Sequence, residues 1–264
     1  MITYITDDLE KRKSVHFYAN LWFLSRKFCQ GKQGIGADMS LLRTFHENNL
    51  KLYLEKEGKK QENVLQENSV RDEITKTYSK EVDVYVAQEL KHMTDADKEK
   101  HYYSAIVTMA MDTAFSKAGM SDSDCEKHIL GNWKFMMVPL YRGIKGRLKR
   151  AAETLDGKSP IEEFADYATS GTMDVYKDFG PDMIGMKSGD SYGFNLHRCL
   201  FYECFQRHGK AERVGSVMCN FDKIMAEVIS PWLEFNHNST IARGGSCCQF
   251  RYCAKGVDPS KLDW

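Results

Sequence analysis

The sequence predicts an α+β fold, with a predominantly helical N-terminal half over residues 1–155 and a C-terminal part, residues 156–264, of short strands, helices and a closing β-hairpin. Three observations carry this prediction. Apolar residues recur at helical spacing through the first half. No proline interrupts residues 1–138, since the five prolines stand at 139, 160, 181, 231 and 259. Beyond residue 155, Gly157, Gly171, Gly180, Gly185, Gly189 and Gly193 punctuate turns and short extended runs. With 264 residues, 42% of them hydrophobic, the chain can bury one sizeable core, and a single compact domain, 1–264, is expected.

Each element has a local reason. Leu9 to Phe28 reads as a helix with Val15, Tyr18, Leu21, Trp22 and Leu24 among its apolar positions, and Ser40 to Glu57 as a second, carrying Leu41, Leu42, Phe45, Leu50, Leu52 and Leu54. Residues 58–82 are dominated by Lys, Glu, Gln and Asn and read as a solvated helix face or a connection. Asp95 to Lys117 restores the helical period. Asp122 to Arg150 follows a Ser-Asp-Ser-Asp cap cluster, and Pro139 is a point of interruption. Leu196 to Arg207 and Phe221 to Val228 read as shorter helices. Trp232 to Tyr252 reads as a hairpin, built from Leu233-Glu234-Phe235, Thr240-Ile241-Ala242 and Cys248-Gln249-Phe250-Arg251-Tyr252 around Gly244-Gly245.

Charge and composition narrow the function. Thirty-seven basic and 37 acidic side chains cancel, giving no general field for nucleic acid or an acidic membrane, so neither is an expected partner. The basic run Arg142, Lys145, Arg147, Lys149 and Arg150 suits a helix C-terminus. The stretch Ala105–Ala110 is broken by Thr108 and Asp112, well short of a membrane span. No apolar segment follows Lys11-Arg12-Lys13, so a secretory signal is not expected and the cytoplasm is the default location. In that setting the eight cysteines are expected to be reduced thiols. Phosphate-binding, dinucleotide, metalloprotease and serine-hydrolase motifs are all missing, and Cys247, Cys248 and Cys253 have poor spacing for zinc. No cofactor or metal is therefore expected. A small-molecule substrate is the expected partner, and the aromatic-rich first helix offers a face for a homo-oligomer.

The candidate chemistry lies in the last third. Cys219-Asn220-Phe221-Asp222 stands where a helix is expected to begin, with Asn220 as N-cap and Asp222 in the first turn. A thiol there can have a lowered pKa and act as a nucleophile; the alternative is a cysteine that fills core space. Cys199 lies beside Arg198, two residues after His197, with Glu203 on its face of the expected helix. Cys204 and Cys29 are assigned to the core. Arg251, with Arg243 and Arg198 as other fixed cations, either clamps a substrate carboxylate or makes a structural ion pair.

Four boxes in order resemble the L-2-amino-thiazoline-4-carboxylic acid hydrolase family: Phe194-Asn195-Leu196-His197-Arg198-Cys199, Cys219-Asn220-Phe221-Asp222, Thr240-Ile241-Ala242-Arg243-Gly244 and Cys248-Gln249-Phe250-Arg251-Tyr252. That family's pattern is an Arg-Cys pair, a Cys-x-x-Asp box, a Thr-Ile-x-x-Gly turn and a closing Cys-Asp-Phe-Arg. The agreement spans residues 190–253, with one departure, Gln249 in place of Asp. The resemblance implies hydrolysis of a C–N bond in a small cyclic amidine, a thiazoline-like heterocycle bearing a carboxylate. In it Cys219 or Cys199 would be the nucleophile, unless activated water attacks, and Asp222 a base or orienter. Arg251 would clamp the carboxylate, with Arg198, Asn220, Thr240, Cys248 and Gln249 as further substrate contacts. The closing Gly-x-x-x-Cys-x-Phe segment also resembles vinyl-reductase-type ligand-binding domains, so a small-molecule-binding or sensor domain without turnover is the alternative. A third reading is an interaction protein whose C-terminal cysteines are core.

Overall fold

The computed structural model describes residues 35–60, 64–154, 157–169, 176–187, 189–237 and 239–258. The helix expected over Leu9–Phe28, with the oligomer face it offered, and Cys29 lie outside the described residues.

Four long helices come first: α1 (Ile35–Glu57), α2 (Asn68–Glu89), α3 (Ala96–Lys117) and α4 (Asp122–Glu153). α3 is buried nearly all round, through Tyr102, Tyr103, Ile106, Val107, Met109, Met111 and Phe115. Such a helix belongs at the centre of a core, and α2 and α4 pack against it. Its start is held by Asp95, whose carboxylate accepts the Lys98 N–H at 2.9 Å. Ser121 caps α4 in the same way, accepting the Asp124 N–H at 3.2 Å. Pro139 does not interrupt α4, which runs on to Glu153.

The charged run 58–82 is neither a purely solvated face nor a connection. From Asn68 onward it forms α2, and Ile74, Thr77, Tyr78 and Val82 are buried against the neighbouring helices. Its few apolar residues recur at helical spacing and fall on one stripe, which the surrounding charges conceal in a composition average.

The second half contains α5 (Pro160–Tyr167), β1 (Pro181–Lys187), β2 (Ser191–Leu196), α6 (Leu200–Arg207), α7 (Ala211–Ile229), β3 (Leu233–Asn236) and β4 (Cys248–Ala254). The strands form an antiparallel sheet in the order β1-β2-β4-β3. The α+β class stands, with the helices concentrated as expected. α5 begins at a Ser159 capping box with Glu162, followed by Pro160. It packs on β2 and β4, placing the Phe164 ring 4.5 Å from Tyr252.

Three local expectations change. β3 and β4 do pair, with Phe235 opposite Tyr252, but Thr240-Ile241-Ala242 is not a strand. Ile241–Arg243 is a single 3-10 turn closed by Gly244 at φ +85°. A Cβ on Gly245 would sit 2.3 Å from Ser239 Oγ, so the chain folds back tightly only because that position is glycine. The helix expected from Phe221 begins at Ala211. The one expected from Leu196 begins at Leu200, because Leu196 still pairs with Cys248 across the sheet.

One hydrophobic cluster runs from Leu50 to Tyr252 and joins helices to sheet. Among the described residues, no helix is long and apolar enough to cross a membrane. Because the Tyr78 side chain is fully enclosed, Tyr78→Ala is expected to cost about 3–5 kcal/mol of unfolding free energy. Exposed Lys76 on the same helix should change it by no more than about 0.5 kcal/mol when replaced by Ala. Urea unfolding of the two variants checks the contrast.

Candidate active site

Two buried carboxylates of the N-terminal helices fix the elements that carry the candidate chemistry. Glu89 of α2, 1% exposed, receives Arg207 Nε at 3.0 Å, Arg207 Nη2 at 2.5 Å and His208 Nε2 at 2.8 Å. Asp112 of α3, 2% exposed, receives Lys210 Nζ at 3.0 Å and Arg213 Nε at 2.6 Å. The end of α6 and the start of α7 are thereby locked onto the helical half. Glu89, Cys204 and His208 bring ligand-type atoms within 4.8 Å of one another. Both Glu89 oxygens, however, are already taken by the Arg207 fork, whose fixed charge does what a metal ion would do there.

From this anchorage α7 carries Cys219 and Asp222 toward β3 and the 241–243 turn. The Asp222 side chain is 29% exposed, yet removal from bulk water raises its carboxyl to about 7. His237 Nδ1 lies 3.3 Å from Asp222 Oδ2. Burial and the Arg243 charge push the His237 imidazole down to about 4, so at neutral pH the ring is uncharged. The ring stacks on Phe250 with centroids 4.4 Å apart, and its buried Nε2 has no hydrogen-bond partner.

Two thiols, Cys219 and Cys248, lie within electrostatic reach of Asp222. Cys199, Cys219 and Cys248 are electrostatically coupled to one another, and the Asp222 charge is felt at Cys219, Cys248, Tyr141, Tyr176 and Tyr252. Cys219 lies in the middle of α7, not at its start. The helix N-terminus expected to lower its pKa is therefore elsewhere, and burial pushes the thiol up. The cysteine that does occupy a helix start is Cys199, the N-cap of α6, whose sulfur accepts the Tyr202 N–H at 3.4 Å. Even there burial prevails and the thiol is pushed up to about 12. Cys248 accepts the Ile241 N–H at 3.3 Å and is pushed up to about 11. The described cysteines are all free, and these three are protonated at neutral pH.

Strand alternation separates the remaining candidates. Cys248, Phe250 and Tyr252 share the face of β4 that meets Asp222 and His237, and Phe194 stacks on Phe250 at 4.7 Å. Gln249 and Arg251 point to the other face. Arg251 Nη1 donates to the Phe194 and Phe250 carbonyls, each at 3.0 Å, and Nη2 to Asn195 Oδ1 at 2.8 Å. Arg198 forks onto Glu203 at 2.5 and 2.8 Å on the exposed surface, so Glu203 serves Arg198 and not Cys199. Asn220 is no N-cap: in mid-helix it donates to Glu126 Oε1 at 2.6 Å and accepts from Arg243 Nη2 at 3.2 Å. The buried Thr240 hydroxyl makes no hydrogen bond of ordinary geometry, and it lies close enough to Cys219 to draw that thiol's pKa downward.

His237, Tyr141 and Tyr176 were not legible as site residues. Alternation from Phe235 along β3 would have put His237 on the Tyr252 side of the sheet. Tyr141 on α4 and Tyr176 in the loop before β1 carry no comparable local signal.

Asp222 with His237, and the thiols of Cys199, Cys219 and Cys248, thus lie near one another where α6, α7 and β4 meet. Residues 126–252 match the model of a protein family described as L-2-amino-thiazoline-4-carboxylic acid hydrolase. The match reaches further toward the N-terminus than the four boxes and takes in most of α4. No curated protein and no solved structure matches the chain.

A carboxyl raised from its ordinary value binds its proton more tightly in the folded than in the unfolded protein. Stability is therefore lost as pH rises from about 4 to about 7. Asp222→Asn removes that penalty and is expected to stabilise the protein at pH 8 by roughly 2–4 kcal/mol, with the gain vanishing near pH 4. Thermal denaturation across that range measures it. Iodoacetamide at pH 7 should leave Cys199, Cys219 and Cys248 of the native protein far less modified than a free thiol, as mass spectrometry of the labelled peptides will show.

Proposed function

We propose that the protein is a hydrolase of a small cyclic amidine, a thiazoline-like heterocycle, in which Asp222 activates water. The single observation that carries this reading is the placement of the Asp222 carboxylate 3.3 Å from His237 Nδ1, where burial raises it to about 7 while the nearby thiols stay protonated. A base with that pKa is half ionised at neutral pH and can both accept and return a proton. The family match over residues 126–252 supports the hydrolase class.

In this mechanism the heterocycle reaches the Asp222 carboxylate from the side on which that residue keeps some exposure. A water bound to Asp222 attacks the sp² amidine carbon: its oxygen bonds to that carbon, one proton passes to the carboxylate, and the C=N π pair moves onto the ring nitrogen, which takes that proton from Asp222. The hydroxyl of the tetrahedral centre then gives its proton to Asp222 as the C=O bond forms and the ring C–N single bond breaks. Asp222 passes this second proton to the departing nitrogen, which leaves as an amine. His237 holds the carboxylate through Nδ1 and so orients it. Cys219 and Thr240 line the approach, and a Cys219 attack would first require its proton to move to Asp222.

Asp222→Asn should lower kcat by about 10²–10⁴-fold, whereas Cys219→Ala should stay within about tenfold of the parent. The kcat/KM profile should rise through pH 7, following Asp222 ionisation, and not through pH 9 as a thiolate would require. A thiolate mechanism would be supported instead if Cys219→Ala were inactive and Asp222→Asn active. The aromatic stack of Phe194, Phe250 and His237 also suits a domain that binds a flat ligand without turnover; in that case the ring is bound and recovered unchanged.

A further inference from the structure

The mechanism makes no use of the basic end of α4, and the balance of charge over the whole chain hides it. We infer that the outward face of α4 between Arg142 and Arg150 is a docking surface for the phosphate backbone of a nucleic acid duplex. Arg142, Lys145, Lys149 and Arg150 are its contacts, and Gly143 and Gly146 are the floor that lets the backbone come close. This inference stands apart from the hydrolase reading.

Three observations support it. The first is one-sidedness. Tyr141, Ile144 and Leu148 bury the inner face of α4, and at about 3.6 residues per turn the four cations fall together on the opposite face, all of them exposed. With a rise of about 1.5 Å per residue they extend over about 12 Å, roughly three to four nucleotide steps of about 3.4 Å along one strand. The second is their lack of internal partners. Arg142, Lys145 and Arg150 make no ion pair among the described residues, and Lys149 reaches Glu153 at 3.7 Å with both side chains exposed. Arg147, in contrast, is held by Glu163 and the Tyr167 ring and takes no part. The helix dipole accounts for Arg150 in the last turn, but its effect fades within one turn and does not reach Arg142 or Lys145. The third is the pair of glycines. Glycine weakens a helix interior, and the fold requires neither one. A Cβ on Gly143 would meet nothing within 4 Å, and one on Gly146 would meet Arg150 Nη1 at 3.6 Å. That contact also sets the Arg150 guanidinium back along the helix toward Arg142, beside the bare backbone.

The surroundings choose the partner. Among the described residues, the exposed large apolar side chains lie off α4, so nothing on this face inserts into a bilayer. No described aromatic ring is exposed to stack on unpaired bases. What the face offers is fixed positive charge along a rigid rod, which meets the regular phosphates of a duplex and reads no sequence. Glu153 bounds the surface at the end of the helix.

The test titrates the full chain into a fluorescein-labelled DNA duplex of about 20 base pairs and follows anisotropy between about 50 and about 200 mM salt. The parent should bind, and the logarithm of its association constant should fall against log salt with a slope of about −3 to −4, as four phosphate contacts require. Arg142→Gln, Lys145→Gln and Arg150→Gln together should weaken binding by at least about tenfold and bring the slope toward about −1. All three residues are exposed, so this variant should melt at the parent's temperature. Lys51→Gln, Lys76→Gln and Lys80→Gln, exposed positions on α1 and α2, change the total charge equally and should leave binding at the parent's level. Gly143→Gln should raise the melting temperature, because glutamine favours a helix, and still weaken binding severalfold. Equal losses in the two triple variants, or no binding of the duplex at about 50 mM salt, would overturn the inference. Binding to phosphatidylserine vesicles that depends on Arg142, Lys145 and Arg150, with the duplex left unbound, would overturn it in favour of a membrane.

Discussion

The structure turns on two carboxylates buried where charge is costly. Glu89 and Asp112 come from α2 and α3, and they take hold of Arg207, His208, Lys210 and Arg213 across the junction of α6 and α7. Burying an unpaired carboxylate costs several kcal/mol, so each acid can be buried only if its partners are in place. The helical half and the motif-bearing half are thus held in one arrangement by a requirement that is met all at once or not at all. Cys199 at the start of α6 and Cys219 and Asp222 along α7 inherit their positions from that junction.

The same electrostatics operate at Asp222 with the opposite outcome. Glu89 is desolvated too, yet its bonds from Arg207 and His208 hold its pKa below the usual range. Asp222 receives one contact from an uncharged imidazole, and desolvation wins. One carboxylate is a fixed anion and the other a group that titrates near neutrality. The difference lies in the neighbours and not in the residue type. The cysteines follow the same rule. Enclosed among apolar and aromatic groups, Cys199 and Cys248 keep their protons despite accepting backbone N–H groups.

Period and punctuation made much of the architecture legible. α1, α3 and α4 follow apolar spacing and cap residues such as Asp95 and Ser121, which act within one turn of the chain. α2 was hidden because Ile74, Tyr78 and Val82 are few among charges, and composition averages over the faces that burial distinguishes. The Thr240–Gly244 segment looked extended because Thr and Ile favour strands; the glycine pair and the contact from Ile241 to Cys248 override that preference.

By itself the sequence determined the α+β class and the family resemblance, because motifs and local spacing are written in contiguous residues. It also offered Arg251, Gln249 and Arg198 as substrate contacts, and a lowered pKa for Cys219. Only the tertiary structure decided where those side chains lie and how far burial shifts the thiol. Strand register turned Arg251 and Gln249 away from Asp222, the start of α7 at Ala211 took the helix N-terminus away from Cys219, and packing brought His237, Tyr141 and Tyr176 within reach of the Asp222 charge. Which face a side chain occupies, and how much water reaches it, depends on partners tens of residues distant, and these are what set the charge state of every group at the site.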